Sequence, residues 1–445
     1  MTLRRRRVPA DAVASRAPAD VPEPPWLWDL SRYQWTVLLA AWLGWGFDVF
    51  DGLLFNFVAP VCLPSLLGVP RGDPRVGATA GLITATLLVG WATGGIVFGW
   101  VADRVGRART LLLTMCTYAI ATAACAVAPD VWTLGAFRFV AALGIGGEWA
   151  AGASLVAEVV PAHRRVAAGA LLYTSSPIAV FAAAAVNDVV VSRIVGVGGS
   201  PDVAWRVVFL TGLVPAAVAV WVRRRVREPA VWEAGRAAAP RLAELFTPAL
   251  RRATIGAFAM CLVTLVTWWG TNAFLPFVAA FLAGPGADAA TVASTTTYAT
   301  AMFNLGGVVG ALGTIPLARL GRRRLFAVYF GAASVSIALT FGVAWEPTTQ
   351  MRLFFFDGLT VFGVNAAYCF YLPELFPTRL RASGAGFCFN TGRYVAALGP
   401  FLVGRALGAV GTPMDAIRWV ALVPLVGLAL VPAIVETHGA PTLPS

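Results

Sequence analysis

The chain has 445 residues, 58% of them hydrophobic and only 13% charged. A mean hydropathy of +0.74 is more apolar surface than a soluble domain hides, so the composition excludes a soluble enzyme or binding module and implies a multi-pass membrane protein. The net charge of +12 comes from 34 arginines and no lysine. These arginines stand in short clusters between apolar runs, the pattern of membrane topology and not of a nucleic-acid groove.

In chain order, residues 1–30 open on "MTLRRRRVPADAV" with no apolar segment before a Pro-rich stretch. They read as a disordered cytoplasmic tail and not a signal peptide, with Arg4–Arg7 near anionic headgroups. Twelve apolar runs follow, each long enough for a membrane helix. The first six lie near 34–63, 76–102, 110–128, 131–158, 166–192 and 203–222. The other six lie near 254–283, 290–318, 325–345, 353–372, 382–407 and 416–435. The expected fold is an all-α membrane protein, twelve transmembrane helices in two pseudo-symmetric six-helix bundles. The bundles occupy 31–222 and 253–437, with a cytoplasmic linker at 223–252 and a cytoplasmic tail at 438–445. On this alternation 25 arginines fall on one side and 7 on the other, which places both termini and the linker in the cytoplasm. Arg138 and Arg393 are the two that fall inside spans. The six cysteines lie in or beside apolar runs without a CxxC pair and read as small hydrophobes; no metal site is expected. Both histidines fall in polar connections, which excludes a histidine relay inside the membrane.

The halves repeat. "GWVADRVGRARTLL" after span two matches "TIPLARLGRRRLFA" after span eight, and "AEVVPAHRRVAAG" after span four matches "PELFPTRLRASGAG" after span ten. The offsets are 215 and 216 residues, so the chain is a duplicated six-helix unit with a site expected between its halves.

"GWVADRVGRAR" closely resembles the loop motif G-x-x-x-D-R-x-G-R-[RK] of the major facilitator superfamily; the second copy departs from it, with Ala318 where Asp103 stands in the first. "RFVAALGIGGEWAAG" with "EVVPAHRR", "REPAVWE" and "VETHG" resemble motifs of sugar-porter-like members. "SRYQWTVLLAAWLGWGFDVFD" is most similar to the opening of the sialic-acid and aromatic-acid proton symporters. The resemblance spans about residues 30 to 440. It implies alternating access by two rocking bundles and a coupling-linked arginine in span four.

Asp48 and Asp51 interrupt the apolar "WGFDVFDGLLF". A charge at the bilayer centre costs roughly 2.5–3.5 kcal/mol, so such groups mark function. Spaced i,i+3, they share one face, and in a low dielectric they do not readily both ionise. They are the candidates for proton coupling, with Arg138 as partner; the plainer reading is a carboxylate neutralised by a fixed arginine. Asn56, one turn on, is a candidate substrate contact. Arg393, beside Asn390 in span eleven, reads either as a salt bridge to Asp48 or Asp51 or as a clamp for an anionic substrate. Trp268, Trp269 and Asn272 of span seven, with Tyr298 and Asn365, are candidates to line the substrate pocket. Asp357 reads as an exposed charge at the start of span ten. Glu148 is expected to serve structure or gating by pairing with cytoplasmic-side arginines. Asp103, Arg104 and Arg107 with Glu158, and Arg322, Arg323 and Arg379 with Glu374, are expected to form ion pairs that hold the inner gate shut.

These residues point to proton-coupled symport of a small organic anion across the cytoplasmic membrane, driven by the proton gradient with no cofactor. The expected partners are the bilayer and a small carboxylate, with no nucleic acid, and the expected state is a monomer. A sugar or polyol facilitator or symporter is the alternative. A drug antiporter lacks its Gly-Pro motif in "LLYTSSPIAVFAAAAVND", a nutrient sensor lacks a relay domain, and no constellation for a membrane enzyme is present.

Overall fold

The computed structural model describes residues 27, 29–70, 73–228, 232, 241–272, 275–284, 289–397 and 412–439. Most of the two expected tails, most of the linker beyond 228 and the last turns expected for span eleven lie outside the described residues.

Local chemistry sets where each helix begins. Ser31 caps α1 (Arg32–Leu67): its hydroxyl accepts from the Gln34 amide at 3.2 Å, and the Gln34 side chain accepts from the Ser31 amide at 2.9 Å. Aspartates cap α2 (Pro74–Val105) and α4 (Val131–Val159), Asp73 accepting from Arg75 N and Asp130 from Trp132 N and Thr133 N, all at 2.8 Å. Between them runs α3 (Arg107–Cys125). Span five breaks at Thr174 into α5 (Arg165–Tyr173) and α6 (Ser175–Gly196), because Pro177 has no N–H to offer the Tyr173 carbonyl. Span six breaks before Pro215 in the same way, into α7 (Pro201–Leu210) and α8 (Val214–Arg225).

The second half follows as α9 (Arg251–Asn272), α10 (Leu275–Leu282), α11 (Ala289–Leu317), α12 (Arg322–Gly342), α13 (Pro347–Leu375) and α14 (Arg381–Ala396). The last span is divided between α15 (Pro413–Ile417) and α16 (Leu422–Leu430). Each of the twelve expected spans thus has its helix, and nine helical spans among the described residues are long and apolar enough by themselves to cross a membrane.

The repeat is structural. Gly106 (φ 120°) turns α2 into α3 and Gly321 (φ 97°) turns α11 into α12, a backbone conformation that glycine adopts without strain. Glu228 accepts from Ala108 N (3.2 Å) and Arg109 N (3.0 Å) at the start of α3. Glu436 does the same for Arg322 N (2.8 Å) and Arg323 N (3.0 Å) at the start of α12. These carboxylates give "REPAVWE" and "VETHG" a physical purpose: each neutralises the positive end of a helix. Within each half one helix pair is fused by glycine. A side chain at Gly146 would overlap the Trp91 carbonyl between α4 and α2, and one at Gly358 the Phe303 carbonyl between α13 and α11.

Candidate functional site

The acids of α1 have different partners. Asp51 pairs with Arg138 of α4 at 3.1 Å and accepts from the Thr122 hydroxyl of α3 at 2.7 and 2.6 Å. Arg138 also donates to Thr122 Oγ1 at 3.1 Å and to the Asp51 carbonyl at 2.8 Å. All three side chains are buried, so this is a closed ion pair with its lone pairs largely satisfied. The plainer reading of the sequence thus describes the Asp51 geometry. Asp51→Asn is expected to leave Arg138 as an uncompensated buried charge, at about 3–5 kcal/mol. The added substitution Arg138→Met is expected to recover most of that loss. Thermal unfolding in detergent checks both, and an unchanged midpoint in the single variant contradicts the static pair.

Asp48 is different. It is fully buried, yet neither carboxylate oxygen has a hydrogen-bond partner among the described residues. Its electrostatic neighbours are Glu148 of α4, Asp51 and Arg393 of α14. Glu148 is itself buried; one oxygen accepts from Thr114 at 3.0 Å and the other has no partner. Its carboxylate lies against Gly44, where a Cβ would overlap it. The expected pairing of Glu148 with cytoplasmic-side arginines is therefore corrected: its neighbour is Asp48. Thr114 and Thr122 escaped the sequence reading, although both are hydroxyls within the apolar run of α3.

Arg393 is buried and, among the described residues, has no carboxylate within 4.0 Å. The expected direct salt bridge to Asp48 or Asp51 is absent. Its guanidinium donates to Asn390 Oδ1 and lies over Trp91 (4.5 Å) and Phe389 (5.0 Å), so aromatic faces supply the compensation that a carboxylate would give. Phe389 stacks on Trp149 at 4.3 Å across the two halves. Trp149 contacts Trp45, which contacts Tyr173, at 6.2 and 6.1 Å. The buried indole N–H groups of Trp45, Trp91, Trp149 and Trp268 have no acceptor among the described residues. A layer of aromatic rings, one arginine and two under-satisfied carboxylates thus meets where the halves touch. Trp91, Trp149, Phe389 and Tyr173 were not singled out from the sequence.

The other pocket candidates divide. Trp268 packs on Trp269 (4.9 Å) and Phe362 (6.2 Å), at the edge of the aromatic layer. Asn365 is buried but donates to the Val361 carbonyl of its own helix, and Asn390 likewise donates to Gly386. Asn272 is half-buried at the end of α9, while Asn56 and Tyr298 are exposed. Asp357 is not an exposed helix end. It is buried in the third turn of α13 and accepts from Ser336 of α12.

At the arginine-rich end the halves are clamped. Arg107 pairs with Asp103 (2.8 Å) and Glu158 (3.1 Å), and Glu158 reaches across to Arg381 (3.2 Å). Arg107 also donates to the Thr378 carbonyl (2.6 Å), and Asp103 accepts from Ser383 N (2.7 Å) at the start of α14. Arg322 pairs with Glu374 at 2.8 Å. Three expected members pair elsewhere. Arg104 lies over Trp100, Arg323 donates to the Ile434 carbonyl, and Arg379 pairs with Glu244 (2.5 Å), whose carboxyl it holds below the usual range.

A helical duplication around an occluded polar centre is the architecture of a carrier. Residues 35–400 match the family model described as Major Facilitator Superfamily. A protein of Cupriavidus pinatubonensis described as a probable 4-methylmuconolactone transporter is 30% identical over 365 residues, 80% of either chain. A niacin transporter of Acinetobacter baylyi is 28% identical over 408 residues, 84% of this chain and 87% of its own. Among solved structures, the proton:xylose symporter XylE superposes with a TM-score of 0.73 at 16% identity, covering 91% of this chain and 96% of that one. The chain belongs to the major facilitator superfamily and is a multi-pass membrane transporter, not an enzyme.

Proposed function

We propose that this chain is a proton-coupled symporter of a small organic monocarboxylate, with its arginine-rich end and both termini in the cytoplasm. The observation that carries the reading is the buried trio of Asp48, Glu148 and Arg393: among the described residues, two carboxylates with oxygens that lack hydrogen bonds, beside an arginine with no direct acid partner. A substrate carboxylate on Arg393 withdraws the cation that favours ionised Asp48. Substrate binding and protonation of the Asp48–Glu148 pair then reinforce each other, which is the reciprocity that coupling requires. A monocarboxylate and one proton enter together without net charge, so the loaded centre is cheap to bury.

The aromatic layer gives the site a surface for a planar acid: Trp91 and Phe389 flank Arg393, and indole N–H groups without an acceptor among the described residues are available to donate to it. The name of the niacin transporter, a relative, supports a ring-bearing acid as substrate. An unpaired buried arginine fits an anion better than a neutral sugar. Rocking of the halves, 31–222 against 253–437, would part the Trp149–Phe389 stack and the Glu158–Arg381 pair together.

Uptake of radiolabelled nicotinate by proteoliposomes, with an imposed pH gradient, tests the proposal. One pH unit, inside alkaline, is about 1.4 kcal/mol and is expected to drive roughly tenfold accumulation at one proton per substrate. Accumulation that is the same with and without the gradient removes the coupling. A panel of ring-bearing and aliphatic monocarboxylates, run as competitors, then ranks substrate classes.

A further inference from the structure

We infer that a cavity at the arginine-rich end binds a phosphate-type oxyanion that bridges the two halves. The cavity is about 690 Å³ and lies between the start of α5 and the turn joining α11 to α12. Its lining includes Ala318, Arg319, Arg322 and Glu374 from the second half with Arg252 of α9, and Arg165 from the first.

The repeat explains why it exists. In the first half, Asp103 occupies the equivalent place and holds the start of α14 through Ala382 N (3.2 Å) and Ser383 N (2.7 Å). The second half has Ala318 there, at the repeat offset, so this turn offers no acid to the start of α5; Asp29 reaches only the residue before it, pairing with Arg164 at 2.8 Å. The loss propagates. Arg107 divides itself between Asp103 and Glu158, which leaves Glu158 able to reach Arg381. Arg322 has no such aspartate and takes Glu374 with two hydrogen bonds, at 3.0 and 2.8 Å, while Thr437 donates to the same carboxylate at 2.5 Å. Arg165, the repeat counterpart of Arg381, has Glu374 and Glu158 as electrostatic neighbours but no carboxylate within 4.0 Å among the described residues, and its buried Nε has no hydrogen-bond partner there.

The charge is unbalanced in consequence. Arg165, Arg252 and Arg319 border the cavity and none has a carboxylate within 4.0 Å among the described residues. The two glutamates on its wall are committed, Glu374 to Arg322 and Glu436 to the start of α12. Three arginines lining one cavity without a direct carboxylate partner match a multiply charged oxyanion, with volume left for an organic body. A phosphate group there performs for the second half what Asp103 performs for the first. It ties α5 to the α11–α12 turn and favours the state in which the arginine-rich end is shut. The phosphate chemistry is shared by a lipid headgroup and a free cytosolic anion.

Thermal unfolding of the purified full-length protein tests this without any transport substrate. Inorganic phosphate, against chloride at equal ionic strength, is one arm; nanodiscs of phosphatidylglycerol against phosphatidylcholine are the other. A saturable rise in midpoint with phosphate, absent in Arg165→Gln and in Ala318→Asp, supports a free anion. A rise confined to phosphatidylglycerol and absent in both variants supports a headgroup. Ala318→Asp is expected to raise the midpoint by itself, since it supplies the missing carboxylate. Should that variant not fold, Arg165→Gln decides alone. No response of the unsubstituted protein in either arm, or a response that Arg165→Gln retains in full, overturns the inference.

Discussion

Asp48→Asn is expected to abolish accumulation driven by a pH gradient while leaving exchange of labelled for unlabelled substrate intact. The asparagine keeps the shape of the side chain and mimics its protonated form, so the loaded centre is still able to cross between states. What it removes is the group whose charge must be neutralised before the centre is occluded. The expected signature is loss of the roughly tenfold accumulation per pH unit, with counterflow retained. Glu148→Gln is expected to give the same split with a smaller effect, because Thr114 already satisfies one of its oxygens. Asp51→Asn differs in kind: its primary loss is stability, since its partner is the fixed Arg138. If Asp48→Asn accumulates substrate as well as the unsubstituted protein does, the proton travels elsewhere.

The fold was legible because its signals are local. Apolar run lengths, arginine clusters and the duplicated G-x-x-x-D-R-x-G-R pattern are read within a few residues, and they delivered twelve helices in two halves. The ion pairs Arg107–Glu158 and Arg322–Glu374 were legible for the same reason, as members of the repeat. The centre was not. Asp48 and Glu148 are 100 residues apart, and what joins them is the missing side chain at Gly44, which lets α4 press its glutamate against α1. Gly44 was visible in the sequence, but its purpose depends on a helix contact that no local pattern encodes. Asp357 was misplaced because the hydropathy window started span ten at 353, whereas α13 begins at Pro347 and carries its first turns through polar residues. Of the two readings open for Arg393, the salt bridge to Asp48 or Asp51 is not formed, because its compensation comes from ring faces instead.

The clamp and the centre are mechanically one object. Arg393 lies twelve residues along α14 from Arg381, about 18 Å at 1.5 Å per residue, and α14 is the helix that Asp103 and Glu158 grip at its start. A displacement of α14 that releases Glu158 and Asp103 must also pull Phe389 from Trp149 and move Arg393 relative to Asp48. In the proposed cycle, gate opening and substrate release are thereby coupled through one rigid element.

Arg393→Gln is expected to weaken carboxylate binding far more than any other single substitution in the centre. Among the described residues the arginine is the only guanidinium in the aromatic layer, and a hydrogen bond to a charged group contributes about 1.5–3 kcal/mol. The apparent affinity for a monocarboxylate should therefore fall roughly ten- to a hundredfold. Arg393→Lys should not rescue it, because an ammonium lacks the planar fork that stacks between Trp91 and Phe389 while presenting two donors to one carboxylate. The neutral amide of the same ring compound provides the control. Its binding, measured by tryptophan fluorescence, should be weak in the unsubstituted protein and nearly unchanged in Arg393→Gln. The ratio of acid to amide affinity then isolates the charge term from packing. A variant that loses acid and amide affinity equally assigns Arg393 to the scaffold of the aromatic layer instead of to the substrate. A variant that keeps the full acid preference moves the anion site away from α14 altogether.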